Sequence, residues 1–118
     1  MIDMSFELYK IPQGKILIAF SDKKLSVGTM ELNPKQETAK HNRPVLESLF
    51  QLKGKCIMKL FVDGGNREVV LNEGDSLDIP PKAFHTHSNP YDKTSLTFWK
   101  ASGDITEIID NIRKTSRM

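Results

Sequence analysis

The chain has 118 residues, of which 38% are apolar and 27% charged, a composition typical of a folded globular protein. This length supports one domain with its own core, so we expect residues 1–118 to form a single domain. Seventeen Lys and Arg oppose fifteen Asp and Glu along the whole chain, and this balance argues against nucleic acid as a partner.

The apolar runs and the first ten residues predict the cellular location of the protein. Runs such as Ile16 to Phe20 are far shorter than the roughly 20 residues that a membrane helix needs. The first ten residues include acidic side chains where a secretory signal is basic and then apolar. We therefore expect a cytoplasmic protein without a membrane partner. The single cysteine, Cys56, precedes Ile57 and Met58 and is expected to be a packed core residue.

Short apolar runs separated by turn residues fill the chain up to residue 100, which is typical of β-strands. The segment Asp63 to Asn66 predicts a hairpin because glycine adopts positive φ without steric cost. Pro80 and Pro81 end a strand because proline donates no ladder hydrogen bond. This succession predicts an all-β sandwich or barrel. The predicted strands are 6–11, 15–20, 25–32, 45–52, 57–62, 68–71, 77–79, 84–88 and 95–100.

The end of the chain has a different period. A break and cap at Gly103 and Asp104, with basic Arg113 and Lys114 in the last turn, predicts one short α-helix over about 104–115. We expect its apolar face to pack on the barrel or on a second subunit. That face consists of Ile105, Ile108, Ile109 and Ile112.

One stretch, LNPKQETAKHNRPVLESLFQLKG, resembles the first motif of the cupin superfamily. The family motif has an opening Gly, His-x-His, a Glu three or four residues later and a Gly after six more. His41, Glu47 and Gly54 fall at the family spacing. Two positions depart from it, because Lys35 replaces the opening Gly and Arg43 replaces the second His.

A second stretch, GDSLDIPPKAFHTHSN, is similar to the second cupin motif. Gly74, Pro80, His85 and Asn89 keep the family spacing, whereas Lys82 replaces the middle Gly. The first motif covers about 28–54 and the second about 74–89. The resemblance implies an RmlC-like jelly roll, that is, a double-stranded β-helix closed into a barrel, and it implies a homodimer that binds a small molecule.

In metal-binding cupins, three histidines and one carboxylate hold a divalent metal inside the barrel. The resemblance carries this role to His41, Glu47 and His85, with Fe, Mn, Ni or Zn as the cofactor. Arg43 cannot ligate a cation because guanidinium offers only donors. His87 shares a strand face with His85 and could supply the missing ligand, or it could be a buried histidine hydrogen-bonded to backbone or packed with Phe84 and Trp99.

Arg43, His87 and Trp99 are the candidate ligand-binding residues. A guanidinium inside the barrel could bind a carboxylate or phosphate, and the lysines that flank the motifs favour an anionic ligand. Alternatively, Arg43 could reach solvent, or it could pair with Glu47 in a metal-free pocket.

Several functions remain open at this point. The leading interpretation is a stand-alone cupin barrel that binds a small, anionic molecule, with or without a divalent metal. A metal-dependent oxygenase or isomerase is one alternative. The other is a metal-free protein, either a sugar-nucleotide epimerase-like enzyme with His41 or His85 as its general base, or a ligand sensor. The residues alone do not decide whether the protein is an enzyme.

Overall fold

The computed structural model of the protein describes residues 6–115. Its strands form two antiparallel sheets, in the orders β1-β2-β3-β10-β5-β8 and β4-β9-β6-β7, and a helix follows the last strand. This is the expected all-β jelly roll with a short C-terminal helix. The elements are β1 Glu7–Ile11, β2 Gly14–Ser21, β3 Ser26–Leu32, β4 Gln36–Glu37, β5 Leu46–Lys53, β6 Cys56–Phe61, β7 Arg67–Leu71, β8 Ser76–Ile79, β9 Phe84–Asn89, β10 Ser95–Ser102 and α1 Thr106–Thr115.

The nine predicted strands are present, each to within two residues at either end. The sequence pattern missed β4, a two-residue strand in the segment expected to be a polar loop, which pairs with Ser88 and Asn89 of β9. Helix α1 begins two residues later than predicted because Asp104 lies outside it as its cap. The Asp104 Oδ1 atom accepts hydrogen bonds from Thr106 N at 2.9 Å and Thr106 Oγ1 at 2.7 Å.

The core lies between the two sheets and is closed on one side by α1. Alternate residues of β2, β5, β6 and β10 point inward, and Ile105 and Ile109 pack against them from the helix. The expected packing of the helix on the barrel is therefore confirmed. Cys56 is fully buried, as predicted, and burial raises the pKa of its thiol to about 11.

Gly28 of β3 lets two neighbouring elements approach closely. A Cβ atom at this position would lie 1.9 Å from the Leu17 carbonyl oxygen and 2.7 Å from Cζ2 of Trp99. Only glycine fits here, and its absent side chain leaves the space that the indole ring occupies. Gly28 therefore sets the position of Trp99 inside the barrel.

The two lysines that replace motif glycines keep the backbone conformation of glycine. Lys35 has φ +64° and Lys82 has φ +69°, both in the left-handed region that side chains with a Cβ disfavour. The motif is thus preserved in the backbone at positions where the residue type departs from it. Lys35 is further held by its Nζ, which donates to the Pro90 carbonyl at 2.8 Å. Within residues 6–115 the chain forms no helix long and apolar enough to span a bilayer.

Candidate metal centre and ligand cavity

Three histidines meet inside the barrel at the end where the first and second motifs come together. His85 and His87 lie on β9 and point to one face because they are two residues apart, and both are buried. His41 lies between β4 and β5 and is joined to His85 by a pair of backbone hydrogen bonds. His41 N donates to His85 O at 3.0 Å, and His85 N donates to His41 O at 2.8 Å.

The imidazole rings of these residues form one cluster. The ring centroid of His41 lies 4.3 Å from that of His85 and 5.4 Å from that of His87, and the His85 and His87 centroids are also 5.4 Å apart. One ring nitrogen from each residue lies within 4.8 Å of the other two. This spacing requires only a small contraction to bring three nitrogens to about 2.1 Å from a common ion.

The hydrogen bonds of the rings show which nitrogens are free. His41 Nδ1 contacts the Ala39 carbonyl at 2.7 Å, and His85 Nδ1 contacts the Ala83 carbonyl at 2.9 Å. Because a carbonyl only accepts, these Nδ1 atoms carry the proton and each Nε2 keeps its lone pair. His85 Nε2 and His87 Nδ1 are buried and have no hydrogen-bond partner among the described residues.

Unpartnered buried nitrogens are costly unless a ligand uses them. Imidazoles whose second nitrogen donates to a backbone carbonyl are the arrangement that metal-binding histidines adopt. The donor set therefore fits a divalent transition metal.

The cluster is electrically neutral at neutral pH. Burial, and then the nearby charge of Arg43, lowers the pKa of His41 from 6.5 to about 4. Burial also lowers the pKa of His85, and it lowers that of His87 well below its usual value. Neutral imidazole is the form that ligates a metal, whereas a base with a pKa near 4 removes protons poorly at pH 7.

Glu47 and Arg43 lie beside the histidines. Glu47 is a buried residue of β5, and its Oε1 lies 3.9 Å from Nε2 of His87. Burial raises the pKa of Glu47, and the charge of Arg43 partly opposes that rise. In residues 6–115 the two side chains make no ion pair within 4.0 Å, and Arg43 Nη1 instead donates to the Asn42 carbonyl at 3.2 Å. The direct ion pair between Arg43 and Glu47, which was one expectation for a metal-free pocket, is therefore not formed.

The structure brings most of the predicted site residues to one cavity of about 40 Å³. His41, Arg43, Glu47, His87 and Trp99 line it, while His85 contacts it through the histidine cluster. The three residues whose donor atoms converge are His41, His85 and His87, so His87 joins the two histidines that motif spacing identified, and Glu47 lies outside this group. Phe84 lies on the opposite face of β9 and is 46% exposed, so it does not pack on His87 as one alternative required.

The apolar wall of this cavity was not predicted from the sequence. Four isoleucines from α1 and its preceding residue face the histidines and Arg43 across it. Their helical spacing predicted an apolar face, but no signal in the sequence shows which part of the barrel that face covers. They are Ile105, Ile108, Ile109 and Ile112.

Comparison with known families confirms the resemblance that the two motifs carry. The family model described as Cupin domain matches residues 28–99, which is more than half of the chain. The protein is a cupin. The match begins at the glycine beneath Trp99 and ends at Trp99 itself, so it includes every polar residue of the site described above.

Curated relatives of this cupin include 3-hydroxyanthranilate 3,4-dioxygenases. The one from Shewanella woodyi is 33% identical over 89 residues, which are 75% of this chain and 46% of that protein. The one from Ruegeria pomeroyi is 35% identical over the same share of this chain and 48% of its own length. The chain thus spans about half the length of these relatives.

A solved RmlC-like cupin from Shewanella frigidimarina has a TM-score of 0.74 and 18% identity. The two structures match over 92% of this chain and 93% of that chain, so they have the same fold.

Proposed function

We propose that this cupin binds a divalent first-row transition metal through His41, His85 and His87, and that Arg43 holds a small anionic molecule beside it. The observation that carries the proposal is the pair of buried, unpartnered nitrogens, His85 Nε2 and His87 Nδ1, aimed into a cluster of neutral imidazoles. Imidazole donors suit Fe, Mn, Ni and Zn, the cofactors that the sequence predicts.

Glu47 has two possible roles in this proposal. It is the carboxylate ligand that the motif spacing implies, or it orients His87 by accepting the Nε2 proton, which requires the two atoms to approach from 3.9 Å to hydrogen-bond distance. Glu47→Gln separates them, because an amide keeps the hydrogen-bond acceptor but is a poor metal ligand. Metal content near that of the wild type in Glu47→Gln supports the orienting role, and strong loss supports the ligand role.

For the reaction we propose a metal-dependent oxygenase of small carboxylates, which shares the reaction class of the dioxygenase relatives but not the size of the substrate in their name. A bound metal would supply Lewis acidity and dioxygen activation. The residues of this chain provide the rest. Arg43 would bind the carboxylate of the substrate, and Trp99 and the α1 isoleucines would exclude water from it. The lowered pKa of His41 disfavours the metal-free alternative that uses this residue as a general base.

The test begins with metal analysis of protein purified without a metal-affinity tag. We expect close to one metal per chain in the wild type and little in His41→Ala, with Thr86→Val as the control on the strand that carries His85 and His87. Oxygen uptake by the Fe(II)-loaded protein is then measured with 3-hydroxyanthranilate and with simple carboxylates. A wild type that takes up no metal from Fe(II), Mn(II), Ni(II) or Zn(II) refutes the proposal.

The expected homodimer has a candidate surface on the outer face of the six-stranded sheet. Leu8 and Phe50 are 45% and 42% exposed there. The strand register places them in one row with Leu17, Thr29 and Phe98. With strands about 4.8 Å apart and up to eight residues long, the face measures roughly 600–700 Å². That approaches the ~800 Å² per partner of a standard interface.

The charged residues at the two edges of this face leave its apolar row free to meet a second copy of the chain. Lys10 and Lys15 are exposed at the β1–β2 edge, and Asp78 is exposed at the β8 edge. A two-fold axis along the central strands would bury the apolar row that contains Leu8 and Phe50 between the two copies. Light scattering should show a dimer that Phe50→Lys dissociates. Val70→Lys, on the other sheet and equally exposed, should leave it intact; a monomeric wild type rejects this surface.

A further inference from the structure

Helix α1 divides the cavity into a polar half and an apolar half. His41, Arg43, Glu47 and His87 line the polar half, and the apolar half consists of Ile16, Met30, Trp99 and the four isoleucines of α1 and the residue before it. Ile105 and Ile109 are 5% and 1% exposed and belong to the core. Ile108 and Ile112 are only partly buried, although they are apolar and line the same cavity. These two pack against the edge of the core and are the part of the wall that remains partly open to the cavity.

The cavity is small, and isoleucines of α1 line it opposite His41 and His87. A volume of about 40 Å³ accommodates roughly three to four water-sized groups, since each needs about 10–15 Å³ in this measure. A carboxylate with one or two carbon atoms fits such a space. An aromatic carboxylate does not fit unless the isoleucine side chains or the helix give way.

The helix is fixed in this position at both ends. At its C-terminal end, Arg113 donates from Nε to Glu7 Oε1 at 2.8 Å and from Nη2 to Glu7 Oε2 at 2.9 Å. This two-pronged bond joins α1 to β1. At its N-terminal end, Gly103 has φ +153°, and a Cβ there would lie 2.4 Å from Val45 Cγ1. The wall is thus held at a fixed distance from Arg43.

We propose that Ile108 and Ile112 are specificity-determining residues that restrict the ligand at Arg43 to carboxylates of about acetate size. The inference rests on the proposed function, because it assigns the substrate class of the same cavity. The carboxylate of the ligand pairs with Arg43, and its short hydrocarbon part lies against the two isoleucines. The double variant Ile108→Ala, Ile112→Ala removes this limit. Alanine favours the helix but loses apolar packing against the core, so urea denaturation first establishes that the variant is folded.

The experiment compares acetate and benzoate binding by calorimetry and by the emission of Trp99, the only tryptophan, which lines the cavity. We expect the wild type to bind acetate at least about tenfold more tightly than benzoate, and the double variant to gain about tenfold or more for benzoate. Acetate binding should change little. Ile57→Ala, a partly buried residue of β6 outside the cavity, should behave like the wild type.

Two other outcomes have separate meanings. If benzoate binds the wild type as tightly as acetate does, or if the double variant gains nothing for benzoate, the isoleucines do not set the size limit, while the anion site stands. If neither anion binds the wild type and Arg43→Gln changes nothing, the anion-binding part of the proposed function fails, and the size limit fails with it. Metal content, measured on the same samples, reports separately on the histidine cluster.

Discussion

Polar side chains line both ends of the barrel interior, and β5 and β9 contribute to both ends. Only at one end do these side chains satisfy their hydrogen bonds within the protein. At the amide end, Gln51 Nε2 donates to Ser95 Oγ at 2.9 Å and Thr97 Oγ1 donates to Gln51 Oε1 at 2.6 Å. Asn89 Nδ2 donates to three carbonyls, those of Leu32, Asn33 and Lys93.

At the histidine end, formed by His41, His85, His87 and Glu47, two buried ring nitrogens have no partner within the described structure. Strand β9 contributes Asn89 to the amide end and His85 and His87 to the histidine end. His85 and His87 are as deeply buried as Gln51 and Asn89, so the two ends differ in hydrogen bonding and not in burial. A buried polar group that is fully paired stabilises the fold, whereas one left unpaired has kept its capacity for a ligand.

The largest effect is expected from His85→Leu, a substitution of similar volume at the histidine end. Metal binding should fall by more than about 100-fold because one of three ligands is removed. The free energy of unfolding of the metal-free protein should change by less than about 1 kcal/mol, because removal of the unpartnered Nε2 offsets the loss of the Nδ1 hydrogen bond to the Ala83 carbonyl. Metal titration and urea denaturation measure the two quantities. Strong destabilisation without metal would mean that Nε2 of His85 also has a structural partner.

The matched substitution at the amide end, Gln51→Leu, should have the opposite effect. Ser95 and Thr97 lose their side-chain partner in a buried site, so we expect a loss of about 2–3 kcal/mol in the free energy of unfolding. Metal affinity should not change. A Gln51→Leu protein that keeps full stability but binds metal weakly would contradict the division between the two ends.

A smaller effect is expected at the turn that leads into His85. Lys82 has φ +69°, so Lys82→Gly should raise the free energy of unfolding by about 1 kcal/mol. Gly74, with φ +88° and open space where a Cβ atom would lie, offers the reverse substitution. Gly74→Ala should cost about 1 kcal/mol for the same conformational reason. If Lys82→Gly destabilises the protein, the lysine side chain contributes a contact that outweighs its strain.

The smallest effect concerns the bond that holds α1 over the histidine end. Hydrogen bonding to Arg113 is the main cause that lowers the pKa of Glu7 below 4.5. The stabilisation from this pair is therefore complete above pH 4.5 and is lost as the pH falls through the lower pKa of the folded state. Glu7→Gln should cost less than about 1 kcal/mol at pH 7, because the pair is partly exposed. The difference from the wild type should shrink below pH 4.5; a constant difference would locate the effect elsewhere.

The sequence predicted the strands because their inward and outward residues alternate, and it predicted α1 because its isoleucines recur at helical spacing. It missed β4, because two polar residues, Gln36 and Glu37, show no period. Motif spacing found His41 and His85, and the two-residue repeat along a strand placed His87 beside His85. The position of α1 over Arg43 was not predictable, because it depends on tertiary packing at Gly103 and on a bond between residues 7 and 113.

The buried thiol of Cys56 has a practical consequence for this barrel. With a pKa of about 11, the thiolate is a minute fraction at neutral pH, so the sulfur is nearly inert to alkylation and oxidation. It also lies outside the group of residues that converge as metal donors, so it offers no competing soft ligand. A cysteine introduced on the exposed face of α1 would therefore be the one readily labelled position, and a dye placed there would report directly on movement of the helix.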